Sequence, residues 1–150
     1  IKAMRFKIKL DTNGTRPGLL KEISDAGLVD YYAMDLKAPL SLYPLVTRSN
    51  IASGQIQASM EVVRHAGVPY EFRSTYFDAL LGPGDLIAIQ EMLKPGDRFI
   101  LQECRYGDNL EKIEKPSNAA MNIPFNESDT CRQMEQWGHE NHVLVSVRSL

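Results

Sequence analysis

The sequence predicts an α/β fold, a partial (β/α) TIM-type barrel of parallel strands with crossover helices. Three observations carry that expectation. Strand-like runs alternate with helical stripes in units of roughly 30–35 residues, the pattern of a parallel sheet with right-handed crossovers. The strand-like runs end in polar or charged residues, at the end of a parallel strand where ligands sit in such folds. Three full units and part of a fourth are too few to close eight strands, so the barrel is expected to be open. The chain starts almost at once on a strand-like run, so N-terminal units are expected to lie outside it, with residues 1–150 forming one domain.

The elements follow in order. Arg5 to Leu10 alternates apolar and charged residues and predicts a strand with Phe6, Ile8 and Leu10 on one face. Asp11-Thr12-Asn13-Gly14-Thr15 is a loop. Pro17 suits the first turn of a helix, and Leu19, Leu20, Ile23 and Ala26 give its apolar stripe, stopped at Gly27. Tyr31 to Lys37 is an aromatic-rich strand closed by Ala38-Pro39, with the composition of a strand buried on both faces. A short irregular helix is expected over Leu40 to Val46. A longer one runs from about Ser53 to His65, with Ile56, Met60, Val63 and Ala66 on one stripe. Tyr70 to Phe77 is rich in aromatic and β-branched residues and predicts the third strand, followed by a loop through Gly84. Asp85 to Leu93 is helical by spacing, and Arg98 to Gln102 is a fourth strand. Glu103 to Glu127 is polar and aperiodic, a long loop. Ser128 or Asp129 caps a last helix to about His139, and His142 to Arg148 closes as a strand.

Composition narrows the function classes. At 43% hydrophobic and 24% charged, 150 residues suffice for one domain with a real core. Lys and Arg number 17 against 19 Asp and Glu, a net charge of -2 that gives no argument for nucleic acid or an anionic membrane. No run has the length of a membrane span and no signal peptide is visible, so a cytoplasmic protein is the default. Cys104 and Cys131 are too far apart for a paired ligand motif and fit a reducing compartment. His65, His139 and His142 fall on helices or at a helix end, and Trp137 and the methionines are expected in the core. Neither a dinucleotide fingerprint nor a phosphate-binding loop is present.

The polar strand ends carry the functional argument. They present Asp11 and Thr12, then Asp35 and Lys37, then Arg73 and Thr75, then Gln102 with Glu103 and Arg105 beyond. Period-two geometry puts Asp35 and Lys37 on one face. A salt bridge closing that strand, a turn at Asp11 and a capping Gln102 are the plain readings of single residues. Several consecutive strands ending so on one rim also suit a zwitterionic small molecule, lysine meeting a carboxylate and aspartate an ammonium. Asp11, Thr12 and Asp35 further offer hard oxygen ligands for a cation.

Leu10-Asp11-Thr12-Asn13-Gly14-Thr15, Ala33-Met34-Asp35-Leu36-Lys37, Phe72-Arg73-Ser74-Thr75 and Leu101-Gln102-Glu103-Cys104-Arg105 resemble, in order and spacing, the later part of radical S-adenosylmethionine enzymes of the glycyl-radical activating group, the activases of pyruvate formate-lyase and of anaerobic ribonucleotide reductase. The resemblance implies a partial barrel holding S-adenosylmethionine and a 4Fe-4S cluster, with Asp35 and Lys37 against the methionine part and Asp11, Arg73 and Arg105 also toward the cofactor. It implies a monovalent cation on Asp11, Thr12, Asp35 and the Ala33 carbonyl. It further implies a glycyl radical enzyme as partner, an electron donor such as flavodoxin, and formation of a 5′-deoxyadenosyl radical that abstracts hydrogen from a partner glycine. The family's Cys-x-x-x-Cys-x-x-Cys motif and the Gly-Gly-Glu after it are absent and are expected upstream of Ile1; Cys104 and Cys131 cannot replace three closely spaced thiolates. The chain alone is therefore expected to be inactive.

Two other classes stay open from the residues. One is a self-contained α/β lyase using Lys37 for a Schiff base, against which Asp35 beside it favours the protonated amine. The other is a non-catalytic interaction domain.

Overall fold

Five short parallel strands form the sheet, ordered β1-β2-β3-β4-β5, in a computed structural model that describes residues 2–48, 51–76, 81–104 and 125–148. The strands are β1 (Lys9–Thr12), β2 (Tyr31–Asp35), β3 (Tyr70–Tyr76), β4 (Arg98–Glu103) and β5 (Leu144–Arg148). Between them lie α1 (Pro17–Asp25), α2 (Tyr43–Thr47), α3 (Ser53–Arg64), α4 (Pro83–Gln90) and α5 (Asp129–Glu140). This parallel α/β sheet is consistent with the partial barrel that the sequence predicts. The chain divides into two compact units, Ile1–Arg73 and Ser74–Leu150, with the boundary inside β3.

In the first unit, β1 pairs with β2 so that Asp11 stands opposite Ala33, and β2 pairs with β3 so that Asp35 stands opposite Arg73. In-register residues of parallel strands share a face, so the pleat sorts these strands into two surfaces. Tyr32, Met34 and Phe72 lie on one, at most 1% exposed, with the Ile56, Met60 and Val63 stripe of α3 equally buried. Lys9, Asp11, Tyr31, Ala33, Asp35, Glu71 and Arg73 lie on the other. The unit thus has an apolar surface and a polar one.

In the second unit β4 is buried on both faces, since three successive residues are covered. β4 and β5 pair from Arg98↔Leu144 to Gln102↔Arg148, and Phe99, Ile100 and Leu101 are fully buried. α5 packs on β5, with Cys131, Met134 and Gly138 its buried positions. Its N-terminus is where the sequence places it: Ser128 Oγ accepts the Cys131 N–H at 3.3 Å.

Four expectations need correction. The first strand starts at Lys9, not Arg5, because pairing begins only where the Asp30 and Tyr31 N–H groups meet the Ile8 carbonyl; Phe6 precedes it and is 62% exposed. In α1 the buried residue is Leu20, while Leu19 is turned outward at 47% exposure, since a nine-residue helix covers only a narrow arc of core. Not every methionine is core, for Met4 is exposed. Of the expected 103–127 loop, Glu103 belongs to β4 and Phe125–Glu127 forms a 3-10 turn; the remainder, Arg105 included, lies outside the described residues.

Candidate functional site

On the polar surface of the first unit, neighbouring strand ends join into one chain of alternating charge. Arg73 Nη1 lies 2.7 Å from Asp11 Oδ1, and its Nη2 and Nε donate to Asp35 Oδ1 at 2.9 and 3.1 Å. Asp35 Oδ2 accepts from Lys37 Nζ at 2.7 Å. Asp11, Arg73, Asp35 and Lys37 therefore sum to no net charge. Burial of Arg73 disfavours its cation, but Asp35 and then Asp11 outweigh that cost and hold its pKa above the ordinary value.

Exposure is graded along this chain. The Arg73 side chain is 15% exposed, that of Asp35 28%, Lys37 42% and Asp11 54%. The guanidinium is a fixed centre, and the amine and the outer carboxylate open to solvent. An exposed ion pair is worth about 0–1 kcal/mol, so the tip groups can exchange partners readily. Deeper on the same surface Tyr31 donates to Glu71 Oε2 at 2.8 Å, and Lys9 Nζ stands 3.7 Å from Glu71 Oε1 and 3.8 Å from Asp11. Glu71, which joins the Tyr31 and Lys9 side chains in this second cluster, is 2% exposed.

Local sequence fixes both edges of the site. After β1 the chain reverses through Gly14, whose φ of +71° an L side chain rarely adopts. Its N–H donates to Thr12 Oγ1 at 3.1 Å, and its carbonyl accepts from the buried Ser59 Oγ of α3 at 2.7 Å. After β2, the Leu36 N–H still reaches the Arg73 carbonyl at 2.7 Å, but the Lys37 N–H donates to Tyr43 Oη at 3.0 Å. Burial pushes the Tyr43 phenol up to about 12, so it stays protonated, able to accept that bond and to donate to the Asp35 carbonyl at 3.4 Å.

Of the residues singled out from the sequence, Asp11, Asp35, Lys37 and Arg73 come together. Thr12 is engaged in the Gly14 turn, and Ala33 is fully buried between Asp11 and Glu71 in register. Gln102 and Glu103 end β4 in the second unit. His65, His139 and His142 are exposed, Cys104 is partly buried, and burial pushes the Cys131 thiol up. Sequence reasoning missed Lys9, Tyr31, Glu71, Tyr43 and Ser59. The first three had a signal, since Lys9-x-Asp11, Tyr31-x-Ala33-x-Asp35 and Glu71-x-Arg73 share the two-residue period of the site itself.

No family model matches the chain. Its sequence is 24% identical over 119 residues to a protein of Methanocaldococcus jannaschii whose name assigns it, provisionally, to the glycyl-radical enzyme activating enzymes. That match takes in 74% of this chain and 50% of the other, so the chain spans about half the length of the curated relative it matches. The fold is similar, with a TM-score of 0.65 at 16% identity, to the crystal structure of a domain of pyruvate-formate lyase-activating enzyme from Bacteroides vulgatus. This likeness covers 98% of the present chain and 84% of that domain. The resemblance to the glycyl-radical activating group is thus met in sequence by one comparison and in fold by the other.

Proposed function

We propose that this chain is the C-terminal portion of a radical S-adenosylmethionine activase, which takes a hydrogen atom from a glycine of a partner enzyme. One observation carries the reading: the Asp11–Arg73–Asp35–Lys37 chain ends in an acid and an amine 2.7 Å apart, half open to solvent. That is the complement of an amino acid. Lys37 would donate to the carboxylate of the methionine part and Asp35 would accept from its ammonium, both charge-assisted bonds. Asp11 and Arg73 hold Asp35 in place, and Arg105 is assigned to the cofactor by resemblance alone. Bound S-adenosylmethionine, with the cluster, supplies the hydrogen-abstracting chemistry; these residues supply binding and orientation.

The residues present fit the amino-acid end of that cofactor and do not fit the 4Fe-4S cluster. A cluster of this kind takes three thiolates close together, and the chain has two cysteines, of which Cys131 is buried. The cluster ligands are assigned to the part of the parent that this chain does not span, and the chain alone is assigned no activity. A monovalent cation on Asp11, Thr12, Asp35 and the Ala33 carbonyl would enter only by loosening the guanidinium that already joins the two carboxylates. The partner is assigned as a glycyl radical enzyme of the pyruvate formate-lyase or anaerobic ribonucleotide reductase type, the electron donor as a flavodoxin-like protein, and the compartment as the cytoplasm. No helix among the described residues is long and apolar enough to cross a membrane.

The test is S-adenosylmethionine affinity of the anaerobically reconstituted full-length protein. Lys37→Ala and Asp35→Ala should each weaken it about tenfold or more, a loss of about 1.4 kcal/mol or more. Unchanged affinity in both, or a parent without three clustered cysteines, would refute the reading. A lyase using Lys37 gains nothing from the structure, which commits the amine to an ion pair with Asp35.

A further inference from the structure

The hydrogen bonding that ends β2 has an unusual provider. Beyond Asp35 the strand receives one more bond from β3, the Leu36 N–H to the Arg73 carbonyl. The next N–H, that of Lys37, meets a phenol oxygen instead of a strand carbonyl. That phenol belongs to Tyr43, the first residue of α2, which is 1% exposed although α2 has only five residues and Leu45 beside it is 74% exposed. Thr47 Oγ1 donates to the Tyr43 carbonyl at 2.6 Å, tying the turn of α2 back on this residue. Tyr43 Oη thus sits between the backbone carbonyl of Asp35 and the backbone N–H of Lys37. It spans the two residues whose side chains form the ion pair.

We propose that Tyr43 is a positioning residue, whose hydroxyl sets the bend from Asp35 to Lys37 and so holds the lysine amine and the aspartate carboxylate at the spacing of an amino-acid zwitterion. This rests on the reading that Asp35 and Lys37 grip the methionine part of S-adenosylmethionine. The alternation of a strand brings residues two apart to one face, but it does not continue by itself past the last ladder bond. Ala38 and Pro39 follow directly, and both are buried. The lysine's direction is therefore decided where its N–H is held, and the atom holding it is the phenol.

The test is Tyr43→Phe, which keeps the buried ring and removes only the hydroxyl. In the 150-residue chain, amide exchange at Lys37 should accelerate about tenfold or more, while Met34 within β2 keeps its protection. In the full-length protein, affinity for S-adenosylmethionine should fall roughly three- to tenfold, while affinity for decarboxylated S-adenosylmethionine, which has no carboxylate for Lys37, stays within about twofold. Equal weakening of both ligands, or unchanged Lys37 exchange, would make Tyr43 a packing residue and overturn the proposal. Accelerated Lys37 exchange, with no effect of either Lys37→Ala or Asp35→Ala on S-adenosylmethionine affinity, would leave the tyrosine's hold on the Lys37 backbone standing and refute the functional reading instead.

Discussion

Replacing Arg73 by methionine keeps the length of the side chain and removes the charge that joins three strand ends. The side chain is 15% exposed and makes two bonds to Asp35, whose own exposure is 28%, plus one pair to Asp11 at 54%. Hydrogen bonds to charged groups contribute about 1.5–3 kcal/mol each when shielded, whereas an exposed pair contributes about 0–1 kcal/mol. The Asp35 bonds share one acceptor oxygen and count nearly as one, and Lys37 remains to Asp35 afterwards, so no isolated charge is left behind. Arg73→Met should then lower the stability of the chain by about 2–3 kcal/mol in urea unfolding, with the slope unchanged. Arg73→Lys should recover less than half of the loss, because a single ammonium cannot reach both carboxylates as the guanidinium fork does. A cost under about 1 kcal/mol for methionine, or native stability with lysine, would refute the assignment of Arg73 as the centre of the charge chain.

Other perturbations follow from the same structure. Lys37→Ala removes only a half-exposed pair and should change stability by less than about 0.5 kcal/mol in urea unfolding, separating binding from folding. Gly14→Ala puts a methyl group against the Met34 side chain at a φ of +71°, and should cost about 1–3 kcal/mol in urea unfolding, loosening the Asp11 turn. Gly138→Ala places a Cβ against Val145 and 2.9 Å from the Val143 carbonyl, which cannot yield as a side chain does, and a loss of about 1–3 kcal/mol by the same measurement is expected in the second unit. The bond from Lys2, then the Ile8 N–H, lower the Asp30 carboxyl from 3.8 to about 2. Its folded value lies below its unfolded one, so its contribution is present above pH 3.8 and is lost as pH falls toward 2. The stability difference between native and Asp30→Asn should therefore be full at pH 6 and shrink toward pH 2.

The order of elements was legible because strands and helices in this chain carry different periods. Ile56, Met60 and Val63 recur as a helix requires, and all three are buried in α3. Ser128 announced α5 through a side chain that can accept the N–H groups at a helix start. The first strand was misplaced because Arg5 to Leu10 alternates as well as any strand, and alternation records a preference for a two-faced surface without saying where a partner strand begins. Ile8 is the first residue with such a partner. Leu19 misled for a related reason: a short apolar run offers two neighbouring residues to one narrow buried arc, and packing chose Leu20.

The site was legible along the strands and illegible across them. Spacing of two places Ala33 with Asp35 and Glu71 with Arg73, because the pleat is a property of the chain alone, whereas Lys37 lies past the end of β2 and its N–H is held by Tyr43. Which strand end an arginine reaches depends on strands about 4.8 Å apart and on their register, which no local pattern contains. The guanidinium of Arg73 contacts Asp11 and Asp35. Charges at adjacent strand ends neutralise one another before any ligand arrives, and a ligand must compete with those partners. The competition is cheapest at the open ends of the charge chain, Lys37 and Asp11, and costliest at Arg73. On the proposed reading a zwitterion meets Lys37 and Asp35 and leaves the guanidinium where it is, so Lys37 substitutions should act on affinity and Arg73 substitutions on the integrity of the site.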